Sequence, residues 1–105
     1  MARYIAIADA GDIAEGKVIS VATDYGDIAI TRLEGQVYAF EDVCTHDGAC
    51  ISTGKTEGCV IICPRHQAKF DMRTGEVLAF PATSPIIVYP VRINGNMVEI
   101  EVEDA

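Results

Sequence analysis

Two short motifs, each pairing a cysteine with a histidine, constrain the fold of this 105-residue chain more than any other feature. They are Cys44-Thr45-His46 and Cys63-Pro64-Arg65-His66, with sixteen residues between them. The chain has only two histidines, so both belong to these motifs. Two thiolates and two imidazole nitrogens suit a zinc ion or an iron–sulfur centre. The spacing therefore predicts a metal site built from two loops.

The residues around these motifs resemble the cluster-binding signature of Rieske proteins, in which two histidines replace two cysteines on one iron of a [2Fe–2S] cluster. The shared segments follow one another as in small soluble Rieske ferredoxins: Cys44-Thr45-His46-Asp47-Gly48, Cys63-Pro64-Arg65-His66, Lys69-Phe70-Asp71, Thr74-Gly75-Glu76-Val77, Phe80-Pro81-Ala82 and Ile87-Val88-Tyr89-Pro90-Val91. The resemblance covers nearly the whole chain.

This resemblance implies the site and its cofactor. Cys44 and Cys63 are expected to bind one iron of a single [2Fe–2S] cluster, and His46 and His66 are expected to bind the other. The histidine-bound iron is expected nearer the surface. A zinc site that uses the same four ligands is the alternative.

The other two cysteines, Cys50 and Cys59, do not complete a known pattern. Their spacing with Cys44 and Cys63 matches neither the plant-type nor the bacterial four-cysteine ferredoxin. Respiratory Rieske proteins brace their two loops with a disulfide, but here Arg65 stands where one partner cysteine is expected. We therefore interpret Cys50 and Cys59 as plain thiols, and Cys59 as a buried one.

The chain reads as short runs rich in β-branched and aromatic residues, separated by turn residues. Strands are predicted at residues 3–8, 17–23, 27–33, 36–41, 59–62, 69–72, 76–79, 86–93 and 96–102. Asn94-Gly95 predicts a tight type I′ hairpin between the last two strands. Turns are also predicted at Glu34-Gly35 and, within a small hairpin, at Thr74-Gly75. The alternation from Val98 to Val102 predicts one buried and one solvent-facing side for the last strand. The fold class is therefore all-β: one domain spanning residues 1–105, with a base of antiparallel strands. As in the Rieske fold, a small cluster-binding insertion is expected at about 44–70.

Charge is distributed unevenly along the chain. The net charge is −8, from eight basic and sixteen acidic side chains. Within residues 44–70 three basic residues face two acidic ones, so that segment carries +1 and the remainder −9. Nucleic-acid binding is not expected, because phosphate contacts require a basic face. The acidity serves solubility, or else it forms a docking surface for basic partner proteins.

The chain shows no sign of export or of a membrane span. No apolar run approaches the roughly 20 residues that a membrane helix needs. The N-terminus lacks the basic stretch and apolar core of a secretory signal. We therefore expect a cytoplasmic monomer whose thiols stay reduced and available for metal.

The resemblance implies electron transport rather than catalysis. No histidine remains for the second iron of a catalytic oxygenase subunit, and no Gly-x-Gly-x-x-Gly motif is present for a nucleotide. The expected role is a one-electron carrier between a flavin-dependent, NADH-oxidising reductase and a terminal oxygenase, often one that dihydroxylates aromatic rings. The alternatives are a small subunit of an assimilatory nitrite reductase and a zinc-stabilised interaction module.

Overall fold

A computed structural model describes residues 2–44, 50–65, 67–80 and 84–103 of the chain. Its strands are β1 (Ala2–Asp9), β2 (Val18–Thr23), β3 (Gly26–Leu33), β4 (Gln36–Glu41), β5 (Thr56–Glu57), β6 (Val60–Ile62), β7 (Lys69–Asp71), β8 (Val77–Ala79), β9 (Val88–Tyr89), β10 (Val91–Asn94) and β11 (Met97–Glu103). A 3-10 turn at Ala10–Asp12 is the only helical element in these ranges. No helix in the described part of the chain is long and apolar enough to cross a membrane.

The strands form three antiparallel sheets. The order is β1-β11-β10 in a three-stranded sheet, β2-β3-β4-β9 in a central sheet, and β5-β6-β7-β8 in a small sheet. The predicted all-β antiparallel fold is thus confirmed. In β11 the predicted alternation also holds, since Val98, Ile100 and Val102 are buried whereas the residues between them are not.

The central sheet separates two hydrophobic cores. Ile28 and Ile30 of β3 pack into the core that also contains Val98 and Ile100 of the three-stranded sheet. Ala29, between them in sequence, packs into the second core, which contains residues of the small sheet. Both faces of β3 are therefore covered, which explains why Ile28 to Thr31 form an uninterrupted buried run.

The hairpin between β3 and β4 has the turn conformation that its sequence favours. Leu33 pairs with Gln36, so Glu34 and Gly35 are the two loop residues between β3 and β4. Both have positive φ, 52° and 80°, as a type I′ turn requires. The amides of Glu34 and Gly35 donate to the Glu15 carboxylate at 2.7 and 3.0 Å, which holds the turn in place.

Two predictions at the C-terminal end are wrong in detail. The expected single strand at 86–93 is split at Pro90: β9 pairs with β4, whereas β10 pairs with β11. Proline has no amide hydrogen to extend the ladder, so the chain changes sheets there. The last hairpin loop is Gly95 and Asn96, one residue later than predicted. Only Gly95 of this pair has positive φ, 63°, which matches a type II′ turn.

The central sheet and the three-stranded sheet form the base of the fold. The chain leaves this base after β4, forms the small sheet and returns to the base at β9. These two strands are neighbours in the central sheet, where Ala39 pairs with Tyr89 and Phe40 with Val88. The two-residue strand β5 was not predicted from the sequence. The predicted hairpin around Thr74-Gly75 is confirmed by the pairing of β7 with β8.

Candidate metal centre

The first ligand candidate, Cys44, follows directly after β4. The chain leaves the sheet at Asp42, whose amide donates to the carbonyl of Asp27 at 2.9 Å. The Cys44 side chain is fully buried. The sheet thus fixes the position at which the first loop begins, two residues before the cysteine.

The second candidate, Cys63, comes at the end of β6, as the sequence predicted. Its amide donates to the carbonyl of Ala68 at 2.7 Å, and its carbonyl accepts from the amide of Gln67 at 3.0 Å. These two bonds close the second loop into a tight turn. Gln67 has φ of 65°, a conformation that costs energy for any residue with a side chain.

The two cysteines belong to one buried cluster of side chains. Cys44 and Cys63 share it with Ile61, Ala68 and Phe70, and both cysteines are fully buried. All four cysteines of the chain lie in the described ranges, and none forms a disulfide. Two buried, unbridged thiols in one apolar cluster fit the sulfur ligands of an iron–sulfur centre. The predicted ligands His46 and His66 lie outside the described residues.

Asp42 links the first loop to the base of the fold. Its Oδ1 accepts from the amides of Ile51 and Ser52 at 2.8 and 2.7 Å. Its Oδ2 accepts from the hydroxyls of Ser20 and Ser52, both at 2.7 Å. Burial by itself raises the pKa of this carboxyl, but hydrogen bonds from the two serines and from the Ile51 amide outweigh burial and hold the pKa below its ordinary value. Sequence reasoning missed Asp42.

The two loops are also joined to each other. After the first loop, the amide of Gly54 donates to the carbonyl of Ile51 at 2.9 Å. The amide of Ile62, next to Cys63, donates to the carbonyl of Lys55 at 2.9 Å. A cleft of about 260 Å³ borders Gly54, Cys63 and Gln67, so the second loop has solvent on one side.

Cys50 and Cys59 lie apart from this buried cluster. Cys50 is exposed and Cys59 is half-buried, and neither is bridged, as the sequence predicted. Cys59 is not the buried strand residue that we expected, because it lies in the turn before β6. Its Sγ atom lies 3.9 Å from Oδ2 of Asp71.

Asp71 also accepts from the backbone and guanidinium of Arg73. The hydrogen bond from the Arg73 side chain is the main cause that lowers the pKa of Asp71 below its ordinary value, against a smaller opposing effect of burial. The small sheet thus has an ion pair of its own at 3.1 Å.

Comparison with known proteins agrees with this geometry. The family model for the Rieske [2Fe–2S] domain matches residues 3–90. The ferredoxin component of the naphthalene 1,2-dioxygenase/salicylate 5-hydroxylase systems of Ralstonia sp. is 41% identical over 101 residues, which cover 96% of this chain and 97% of that protein.

Solved structures give the same result. The Sphingomonas yanoikuyae B1 ferredoxin superposes with a TM-score of 0.90 at 29% identity, covering 96% of this chain and all of that one. The ferredoxin seen in a complex of reduced oxygenase and oxidized ferredoxin in carbazole 1,9a-dioxygenase has a TM-score of 0.85 at 33% identity, with 92% and 91% of the two chains covered.

The three ferredoxins named here match nearly the full length of the chain. These matches assign the [2Fe–2S] cluster in place of zinc, and electron transport in place of an interaction role. The chain therefore belongs to the Rieske [2Fe–2S] domain family, as an electron-carrying ferredoxin.

Proposed function

We propose that Cys44 and Cys63 hold one iron of the cluster and that His46 and His66 hold the other. The observation that carries this assignment is the pair of fully buried, unbridged cysteines in one side-chain cluster. Each cysteine stands beside a histidine in sequence, at the family's spacing. When bound, the cluster takes up and releases one electron at a time.

We further propose that the protein receives electrons from a flavin-dependent, NADH-oxidising reductase and delivers them to a terminal oxygenase that acts on aromatic compounds. The Ralstonia relative is a ferredoxin component of dioxygenase and hydroxylase systems, and the ferredoxin of carbazole 1,9a-dioxygenase was solved in complex with an oxygenase. Both contacts are transient, and the protein itself acts as a cytoplasmic monomer without a catalytic site.

Two exposed apolar side chains near the loops suit such docking. Phe80 is 82% exposed and follows Ala79, which pairs with Lys69 at the end of the small sheet where the second loop begins and ends. Ile87 is 55% exposed, and its carbonyl accepts from the amide of Glu41, just before the first loop. Apolar side chains exposed beside a functional site favour a protein partner.

The ligand-bearing insertion is predicted at about 44–70, within one domain of residues 1–105. The small sheet supports an insertion of this kind. Because β8 ends at Ala79, however, the inserted unit extends further along the chain than the ligand loops themselves.

Metal analysis and spectroscopy of ligand variants test the assignment. The purified protein should be red-brown, contain two irons per chain as a [2Fe–2S] centre requires, and give an EPR signal on reduction. Cys63→Ala should lose the iron, because the site then lacks one thiolate. Cys50→Ala is the matched control and should keep both iron and spectrum. Full iron content and an unchanged spectrum in Cys63→Ala would exclude this ligand set.

Docking is tested by rapid kinetics with the oxygenase. Phe80→Ala should slow electron transfer from the reduced ferredoxin by about tenfold, the usual size of effect for an aromatic interface anchor. Ile93→Ala is the control, because Ile93 is 49% exposed but lies on β10 of the three-stranded sheet. Equal rates for the two variants would place the docking surface elsewhere. If the protein transferred electrons to a nitrite reductase and not to an oxygenase, the proposed oxygenase partner would be wrong.

A further inference from the structure

The hydrogen bonds of Asp42 close the first loop. Its carboxylate accepts from the amides of Ile51 and Ser52, so the beginning and the end of the 42–52 segment are joined at one side chain. Cys44 and the proposed ligand His46 lie between these two ends. The two ends of the segment that carries half of the proposed ligands are therefore held together by one carboxylate.

The same carboxylate attaches this segment to the base. Oδ2 accepts from the hydroxyl of Ser20 on β2 at 2.7 Å, and the Asp42 amide donates to the carbonyl of Asp27 on β3 at 2.9 Å. Asp42 is only 6% exposed. All of its partners are neutral, so among the described residues no cation competes for its oxygens. A buried carboxylate with four donors has one stable orientation, because any rotation leaves buried donors unsatisfied.

We propose that Asp42 is the positioning residue of the cluster, and that its carboxylate fixes the first loop in the shape needed to bind metal. The inference rests on the proposed function, because it takes Cys44 and His46 as ligands. It extends that function by assigning the shape of the first loop to a residue that does not bind iron. Asp42 acts through the loop, by restraining the segment that contains Cys44.

Three variants distinguish a specific effect on the first loop from a general loss of stability. Asp42→Ala removes all four acceptor contacts. Asp42→Asn keeps a carbonyl oxygen for the two amides, and its NH₂ group can donate to the serine hydroxyls, which then rotate. Ser20→Ala removes only the bond to β2. Thr31→Val is the matched control, because the buried Thr31 hydroxyl donates to the carbonyl of Lys17 within the base, at 2.8 Å.

Hydrogen-exchange mass spectrometry of the cluster-containing protein gives the direct measurement, on peptides that contain Ile51 and Ser52. Asp42→Ala should speed exchange there by roughly 10- to 100-fold, the effect expected when hydrogen bonds to a charged group are lost. It should also lower the iron content and broaden the EPR signal of the reduced protein. Asp42→Asn should restore iron and line width towards the native values, and Ser20→Ala should give a smaller effect in the same direction.

The control and the failure outcomes are distinct. Thr31→Val should leave exchange at Ile51 and Ser52 and the EPR signal unchanged. If Asp42→Ala does not fold, the comparison of Ser20→Ala with Thr31→Val decides the matter, since equal effects of the two would overturn the inference. Native exchange, iron and spectrum in Asp42→Ala would also overturn it. Such a result leaves the proposed function intact, because that function depends on Cys63→Ala losing its iron.

Discussion

Gly54 lies directly against the backbone of Ile62, so closely that a Cβ atom on Gly54 would overlap the Ile62 carbonyl oxygen. Gly54 follows the first loop, and Ile62 precedes Cys63 in the second. The distance between the two loops is therefore limited by a contact that only glycine permits.

Gly54→Ala should force these loops apart. We expect a loss of about 1–3 kcal/mol in the free energy of unfolding, the usual cost of overpacking against a rigid neighbour, together with lower iron content. Urea unfolding and iron analysis measure both effects. Gly11→Ala is the control, because its Cβ would meet only a side-chain oxygen of Asp9, at 3.2 Å. Equal stability of the two variants would show that the loop contact relaxes freely.

The centre should have a low potential, towards the bottom of the roughly −150 to +300 mV span of Rieske clusters. By resemblance, the high-potential members have hydroxyl donors at the positions of Ala68 and Phe70, and neither of these side chains can donate. Both are fully buried in the cluster of side chains that contains Cys44 and Cys63.

Voltammetry near pH 7 tests this prediction. Ala68→Ser and Phe70→Tyr should raise the midpoint potential, because a donor to sulfur stabilises the reduced state. Ala39→Ser places a hydroxyl in the other core and should leave it unchanged. A native midpoint above about +100 mV would contradict the assignment to the low-potential group.

Reduction of the protein should depend on salt. Residues outside 44–70 carry −9 and the segment itself +1, so a basic partner is attracted mainly by the base. Screening over roughly 8–10 Å at physiological ionic strength should slow association as salt rises. Stopped-flow reduction by the cognate reductase at increasing salt measures this. A constant rate up to about 0.5 M salt would mean that the acidity serves solubility alone.

The type I′ turn between β3 and β4 should accept a better residue. Glu34 has φ of 52°, where a side chain costs roughly 1–2 kcal/mol and asparagine is tolerated better than glutamate. Glu34→Asn should therefore raise the free energy of unfolding by about 0.5 kcal/mol. Gly35→Ala, at φ of 80°, should lower it by about 1 kcal/mol. Urea unfolding measures the free energy of unfolding of both variants. A lower value for Glu34→Asn than for the native protein would contradict the prediction.

The Asp71–Arg73 pair should contribute to stability at neutral pH but not in acid. The pKa of the Asp71 carboxyl is lowered in the folded protein, so the same carboxyl takes up a proton first in the unfolded protein as the pH falls. The contribution is complete above the ordinary pKa of about 4 and is lost as pH falls through the lowered value. The stability difference between the native protein and Asp71→Asn should thus be constant from pH 8 to about 6 and shrink below about 4. A stability difference that grows as the pH falls would contradict the lowered pKa of Asp71.

The sequence predicted the fold where local chemistry decides it. Alternation along β11 and the turn at Glu34-Gly35 are local signals, and both are confirmed. The split at Pro90 was not predicted, because the choice between two sheets depends on partners distant in sequence. Asp42 was missed for the same reason. An aspartate before a cysteine has no special pattern, and its role appears only when Ser20 and Ser52 are brought to it by folding.

The pairing of β4 with β9 has a consequence for how such carriers diversify. The chain leaves the base at β4 and re-enters on the adjacent strand, about 4.8 Å away. The intervening segment is therefore a cassette whose two ends meet, and it can be lengthened, shortened or transplanted without rerouting any strand of the host. Redox properties and the apolar partner contact proposed at Phe80 can then change together within this segment, while the core between the central and three-stranded sheets stays as it is.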